Sequence, residues 1–175
     1  MNHPLEFIPQ NLRKPMFYIF LALTALIFGI FRPLDKPLRT AASPNGIVSF
    51  ELAGNPNTSQ AIIDSWDAHA WLYASFGLGF DYLFMPVYAL ALSLGLLLAM
   101  NGKSGWYFSA AAWLGWGALA APLFDAVENF ALWKQLTVGV FSPYPQLAAF
   151  CAAVKFTLLI VGLITALAGG FVKKS

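Results

Sequence analysis

The sequence contains few charged residues and a single cysteine. Asp, Glu, Lys and Arg make up 10% of the 175 residues, against about 25% in a typical soluble domain. Because Cys151 is the one cysteine, the chain can form no internal disulfide, CxxC pair or cysteine-based zinc site. The net charge of +2 is too small and too scattered to indicate nucleic-acid binding. These shortages disfavour a soluble domain, a disulfide scaffold and a nucleic-acid partner.

The common short motifs of soluble enzymes are also missing. The sequence has no HExxH, Walker loop, GxSxG, dinucleotide fingerprint or paired-histidine haem pattern. The two histidines, His3 and His69, are not at metal-ligand spacing. We expect His3 to be an exposed terminal residue and His69 to be a solvated residue near a helix end. The sequence therefore assigns no cofactor and no metal ligand.

Hydrophobic residues are abundant, at 59% of the chain, and the mean hydropathy is +0.66. Their distribution predicts one integral membrane domain over residues 1–175, with four transmembrane helices in an antiparallel bundle. A spanning helix needs about 20 apolar residues. The predicted spans cover residues 15–31, 71–100, 106–133 and 146–171.

Residues 32–58 form the only long predicted loop, which contains four prolines and an Asn45-Gly46 turn signal. Residues 47–52 (Ile-Val-Ser-Phe-Glu-Leu) are typical of a short strand. Residues 59–70 form an interfacial amphipathic segment that leads into the second span. Asn57 or Thr58 is expected to cap its helix.

Four spans place both termini on one side of the membrane. Lysine and arginine are slightly more frequent on the side of the termini, which favours cytoplasmic termini. We therefore predict a multi-pass membrane protein with cytoplasmic termini and an extracytoplasmic loop.

Polar residues interrupt the third span. Asp125, Glu128 and Asn129 are spaced three and four residues apart, so they share one helix face. Asp81 and Asp125 are each 22 residues from Lys103 in the intervening turn, so we expect them at similar depth. The same reasoning places Lys155, the one basic residue within a span, near that depth. Ionisable groups in a membrane span usually face a bundle interior or a water-filled cavity.

Further residues complete the predicted site. Tyr88 lies seven residues after Asp81, on the same helix face, and would line a pocket. His69 would stand at its entrance. Pro86 and Pro122 each remove an amide donor within a helix, which leaves a carbonyl oxygen available near the acids.

The polar cluster has three interpretations. It is a structural ion-pair network, a site for a cation, a proton or the head group of an amphiphile, or an acid pair for catalysis. The leading functional hypothesis is a non-enzymatic binding or transport-accessory protein whose partners are membrane lipid and a small cation or amphiphile. The alternative is a non-catalytic subunit bound to a partner membrane protein. The third is an intramembrane lipid-modifying enzyme.

Three segments carry a family resemblance: Phe80-Asp81-Tyr82-Leu83-Phe84, Phe124-Asp125-Ala126-Val127-Glu128-Asn129 and Val154-Lys155-Phe156. They resemble segments of small four-helix bacterial membrane proteins to which no function is assigned. The resemblance covers most of residues 47–165. It implies a prokaryotic inner-membrane location and no particular activity.

Overall fold

The computed structural model describes residues 2–172, and these contain six α-helices and no strand. The long helices are α1, α4, α5 and α6, and the short ones are α2 and α3. Their bounds are Gln10–Asp35 (α1), Ile47–Glu51 (α2), Pro56–Asp64 (α3), Ala68–Ala99 (α4), Gly105–Thr137 (α5) and Tyr144–Ala168 (α6). A 3₁₀ turn over Lys36–Leu38 follows α1.

Four helices are long and apolar enough to cross a membrane, as the sequence predicted. The candidate spans are Gln10–Leu38, Ala68–Ala99, Gly105–Thr137 and Tyr144–Ala168. The first is longer than its apolar run because α1 continues through Arg32 and Pro33. This all-α arrangement is compatible with a helical bundle in a membrane protein.

The chain divides into two compact units, each with a part of all four long helices. Unit 1 comprises the described residues of Met1–Ala25, Met85–Pro122 and Lys155–Ser175. Unit 2 comprises Leu26–Phe84 and Leu123–Val154.

Unit 1 is stabilised by an apolar core and by hydrogen bonds between its helices. Leu94 is fully buried, and Tyr107 is 1% exposed. The Tyr107 hydroxyl donates to the Thr165 carbonyl at 2.7 Å, which links α5 to α6. Ser93 Oγ of α4 donates to the Gly115 carbonyl of α5 at 3.1 Å. These bonds satisfy polar groups that water could not reach in an apolar surrounding.

The first residues of unit 1 fold back against α5, which contradicts the prediction of an exposed His3. The side chain of His3 is only 3% exposed, and its Nδ1 accepts a hydrogen bond from the Leu5 amide at 3.2 Å. A Cβ atom at Gly115 would lie 2.2 Å from His3 Nε2. Trp116 Nε1 donates to the Asn2 carbonyl at 3.2 Å. The prediction was wrong because a glycine on α5 leaves space for the imidazole.

Unit 2 has a separate core beside the loop. Trp66 is 6% exposed, and its Nε1 donates to the Leu38 carbonyl at 2.9 Å. The Phe50 ring meets the Trp66 ring edge-on, with centroids 5.3 Å apart. Ile62 of α3 is 1% exposed, whereas Gln60 is exposed. Helix α3 therefore has a buried apolar side and an exposed polar side.

Residues 47–51 form α2, so the prediction of a short strand was wrong. Gly46 has a φ of 59°, which turns the chain immediately before α2. The Asp35 carboxylate then accepts the Ile47 amide at 2.8 Å. Because the first amides of a helix have no partner within it, this distant side chain stabilises helix formation. A helix also satisfies its inner backbone groups locally, which a lone strand cannot do.

The start of α3 and the junction between α3 and α4 also differ from expectation. Asn55 caps α3, with Oδ1 accepting the Thr58 amide at 2.9 Å, so neither Asn57 nor Thr58 is the cap. Pro56 follows the cap, where its missing amide is tolerated. The helix then ends at Asp64, and Asp67 Oδ1 accepts the Ala70 amide at the start of α4. The segment is therefore two helices joined by a turn.

Candidate polar site in unit 2

A hydrogen bond between α4 and α5 defines the candidate site. Asn129 Nδ2 donates to Asp81 Oδ2 at 2.8 Å and lies 3.4 Å from the Leu78 carbonyl. Asn129 is 3% exposed, and Asp81 is half-buried. The two residues are 48 positions apart in the sequence, and both lie within candidate spans. The structure therefore brings together two of the predicted site residues.

Two further acids lie on the same buried face of α5. Asp125 is 2% exposed, and Glu128 is fully buried. They precede Asn129 by four residues and one residue, within about one helical turn. Ala121, one turn before Asp125, is also fully buried. Ala121, Asp125 and Asn129, spaced four residues apart, therefore share one buried face of α5.

Sequence reasoning missed Tyr82 as a neighbour of this site. Its hydroxyl donates to the Ala126 carbonyl of α5 at 3.2 Å, which gives α4 a second link to α5. The ring itself is 50% exposed. Tyr82 follows Asp81 directly, and an amphipathic aromatic beside a membrane acid was the available signal.

Gln135 was also missed. It is 2% exposed, and its Nε2 donates to the Ala131 carbonyl at 3.3 Å. Its Oε1 has no hydrogen-bond partner among residues 2–172. Gln135 lies seven residues after Glu128, almost two full turns, so both belong to one helix face. That spacing could have revealed it from the sequence.

Three further predicted residues are Lys155, Tyr88 and His69. Lys155 and Tyr88 belong to unit 1, where they are 6% and 7% exposed. Lys155 Nζ lies 4.7 Å from the centroid of the Phe156 ring. His69 is exposed, and its ring is 4.4 Å from the Tyr73 ring. It precedes Asp81 by 12 residues, roughly 18 Å along α4, so it is not a direct ligand at this site.

The helices remain continuous at both internal prolines, Pro86 of α4 and Pro122 of α5. Proline has no amide hydrogen, so the carbonyl four residues earlier loses its usual helical donor. For Pro86 that carbonyl belongs to Tyr82, which follows Asp81. This oxygen adds acceptor capacity to a region already rich in oxygen atoms.

The chemistry of the site follows from burial and ligand type. Carboxylate, amide and carbonyl oxygens are the donors that hard cations prefer. No group of three or more His, Cys, Asp and Glu side chains in the described part of the chain has a geometry suited to a metal ion. Removing an ion from water costs several kcal/mol even after relaxation. A buried carboxylate therefore requires hydrogen-bond donors or a positive charge close to it.

Comparisons with protein-family models, with curated proteins and with solved structures find no match to this chain. The functional argument therefore depends on the geometry of the site alone.

Proposed function

We propose that this chain is a membrane protein that binds a small cation or a proton at Asp81, Asp125, Glu128 and Asn129. The observation that carries the proposal is the 2.8 Å hydrogen bond from Asn129 to Asp81. Asp125 and Glu128, both nearly inaccessible, are within about one turn of Asn129 on α5.

The energetic reason is the cost of the buried carboxylates. Burying a carboxylate costs several kcal/mol even after relaxation, and a bound cation or proton offsets part of that cost. The Asn129 amide orients one Asp81 oxygen and carries no charge of its own. The acids would be the main acceptors, and the exchange of a cation or proton would be the functional step.

Gln135 supports access from the end of α5. It is close to the helix terminus at Thr137, and its buried Oε1 has no partner among the described residues. A buried acceptor of this kind commonly binds a water molecule or an ion. We propose that a hydrated ion passes Gln135 before it reaches Glu128, roughly 10 Å farther along the helix.

The proposal includes an arrangement in the membrane. Five residues, 100–104, connect α4 to α5, and a connection this short favours antiparallel neighbours. We propose an antiparallel four-helix bundle in a bacterial inner membrane, with cytoplasmic termini and the 36–67 region outside. The charge distribution and the family resemblance support this orientation and location.

The test measures ligand-dependent stability and carboxyl protonation. The purified protein in mild detergent is titrated with Li⁺, Na⁺, K⁺ and Mg²⁺ chlorides while its thermal midpoint is recorded. Dodecylammonium is the probe for a cationic amphiphile. We expect one of these cations to raise the midpoint in a saturable way, because a ligand of the native state stabilises it. Infrared spectra across pH detect a protonated carboxyl group directly.

Asp125→Asn and Asp81→Asn should abolish the cation response or remove the carboxyl band. Asp64→Asn is the matched control, because Asp64 is an exposed acid of unit 2 that accepts a hydrogen bond from Gln60. If the wild-type protein shows neither a cation response nor a protonated carboxyl, the cluster is a structural network and the proposal fails. An equal loss in Asp64→Asn would also contradict it.

A subunit role is the second candidate, and the exposure of α1 favours it. Only 6% of the apolar window of the first span is buried, so most of that helix is available to lipid or to another protein. Native mass spectrometry from mild detergent decides between the two: a stoichiometric heteromer supports the subunit role, and a monomer contradicts it.

A further inference from the structure

A polar cleft lies in unit 2, between the end of the first candidate span and the start of the second. It has a volume of about 460 Å³ and is lined by Lys36, Pro37, Thr40, Ser65, Asp67 and His69. This volume is within the range of small-molecule sites, about 300–1,000 Å³. The cleft is separate from the acid site, because His69 lies roughly 18 Å along α4 from Asp81.

The hydroxyl groups in the cleft already form hydrogen bonds within the protein. Ser65 Oγ donates to the Ile62 carbonyl at 2.7 Å. Thr40 Oγ1 lies 2.7 Å from Ser65 Oγ, and it accepts the Ser43 amide at 3.1 Å. Since each hydroxyl has one hydrogen, Ser65 uses its hydrogen on Ile62, and Thr40 must donate to Ser65. These residues therefore fix the walls, and the charged side chains determine what binds.

Those charged side chains carry both signs. Lys36 is exposed at the start of the 3₁₀ turn, and its ammonium has three hydrogens to donate. His69 supplies at least one further N–H in either protonation state. Asp67 is an exposed carboxylate whose Oδ1 accepts the Ala70 amide at 2.8 Å. That bond orients the carboxylate while leaving its negative charge in the cleft.

The position of the cleft indicates the source of the ligand. Lys36 lies near the end of the candidate span Gln10–Leu38, and His69 near the beginning of Ala68–Ala99. The ends of spanning helices lie at the level of the lipid head groups. Lysine and histidine side chains suit this level because each combines an apolar part with a polar tip.

We propose that this cleft binds the phosphoethanolamine head group of a phospholipid. The phosphate contacts Lys36 and His69, and the primary ammonium contacts Asp67. Charge-assisted hydrogen bonds of this kind are about twice as strong as neutral ones.

The mixed charge distinguishes this head group from others. Phosphoglycerol has no cation for Asp67, so the carboxylate would face the phosphate without compensation. Phosphocholine has a cation, but its quaternary nitrogen has no N–H to donate and is recognised mainly by aromatic rings. No aromatic ring lines the cleft apart from the imidazole of His69. The cleft therefore favours ethanolamine.

The experiment titrates the full chain in mild detergent with short-chain phosphatidylethanolamine, phosphatidylcholine and phosphatidylglycerol, and counts bound lipid by native mass spectrometry. Glycerophosphoethanolamine, which lacks acyl chains, is a fourth probe. We expect one saturable phosphatidylethanolamine, with weaker binding of the other lipids. Lys36→Gln and Asp67→Asn should each weaken it about tenfold, as the loss of a hydrogen bond to a charged group implies.

The variants separate recognition from folding. Asn is as good an N-cap as Asp, so Asp67→Asn keeps the start of α4 and removes only the charge. Lys134→Gln is the matched control, since Lys134 lies over the Phe130 and Trp133 rings of α5 and does not line the cleft. It should bind like the wild type.

Three outcomes overturn the proposal: equal binding of all three lipids, phosphatidylethanolamine binding unchanged in both Lys36→Gln and Asp67→Asn, or equal weakening in Lys134→Gln. Binding of glycerophosphoethanolamine as tight as that of the lipid would support the head-group chemistry and assign a soluble source. None of these results depends on the cation titration, so this proposal and the acid-site proposal can fail separately.

Discussion

The helix contacts inside unit 1 and those inside unit 2 are made by different types of residue. In unit 1, helical glycines face other parts of the unit: a Cβ at Gly115 would lie 2.2 Å from His3, and one at Gly162 would lie 3.0 Å from Leu92. In unit 2, a Cβ at Gly77 or Gly79 of α4 would have no described atom of another element within 4 Å. Unit 1 therefore uses glycine for close approach, as packed membrane helices often do.

Unit 2 instead concentrates long polar side chains on α5, whereas the buried long polar side chain of unit 1 is Lys155 of α6. Asp125, Glu128, Asn129 and Gln135 are all at most 3% exposed, and Asn129 and Tyr82 each form a hydrogen bond between α4 and α5. Polar contacts between helices contribute about 0.6 kcal/mol on average in a membrane protein, while charged groups there are expensive. The comparison teaches that the polar residues of unit 2 have a high burial cost for a modest gain in helix packing.

The largest expected effect tests the glycine difference. Gly115→Ala should destabilise the protein by about 1–3 kcal/mol, because the new methyl group overlaps His3 and overpacks the site. Gly77→Ala should be neutral or stabilise by up to about 1 kcal/mol, since alanine loses less backbone entropy in a helix. The free energy of unfolding in micelles measures both.

A double substitution identifies the cause of the Gly115→Ala effect. Adding His3→Ala removes the imidazole that overlaps the new methyl group, so the two changes together should be less destabilising than their sum. Simple additivity, or equal losses at Gly115 and Gly77, would remove the distinction between the units.

Acid should have an intermediate effect on stability, because it protonates the buried side chain of His3. Burial, and secondarily the positive charge of Arg13, lower the pKa of His3 from 6.5 to about 4, partly offset by the backbone of Ser93. The folded-state pKa is below the unfolded value, so docking of the N-terminal segment is fully stabilised above pH 6.5. This stabilisation decreases as the pH falls from 6.5 towards 4.

Hydrogen exchange at the Leu5 and Ile8 amides measures this loss. Both amides form hydrogen bonds within the segment, Leu5 with His3 Nδ1 and Ile8 with the Leu5 carbonyl. Protection should decrease between pH 6.5 and 4, after correction for the intrinsic exchange rate. In His3→Gln this additional pH dependence should disappear. If it persists there, another group is responsible.

The smallest effect concerns the surface of unit 2. Asn55→Ala should destabilise α3 by about 1 kcal/mol, because the Thr58 amide loses its cap. Asn57→Ala, at the position that the sequence suggested, should have less effect since Asn57 is exposed. Exchange of the Thr58 amide distinguishes the two variants. An equal increase in exchange rate for both would contradict the assigned cap.

The sequence was sufficient for local features with a regular pattern. Four apolar stretches predicted four membrane-length helices, because the apolar core of a bilayer sets the length of a span. The three- and four-residue spacing of Asp125, Glu128 and Asn129 predicted that they share one face of α5. The apolar pair Ile62 and Ile63, placed between the polar residues Gln60 and Asp64, likewise predicted an amphipathic helix. Each of these predictions depends only on residues within a few turns of one helix.

Only the tertiary structure determined contacts between distant residues. Residues 47–51 form a helix because Asp35, twelve positions earlier, accepts the Ile47 amide. Asp81 is bound to Asn129 across 48 positions, and His3 is buried because glycine stands at position 115 of α5. Periodicity cannot indicate such pairs, since it specifies which face a residue occupies and not which partner lies opposite. That partner depends on how the helices pack, and packing joins residues that the sequence separates.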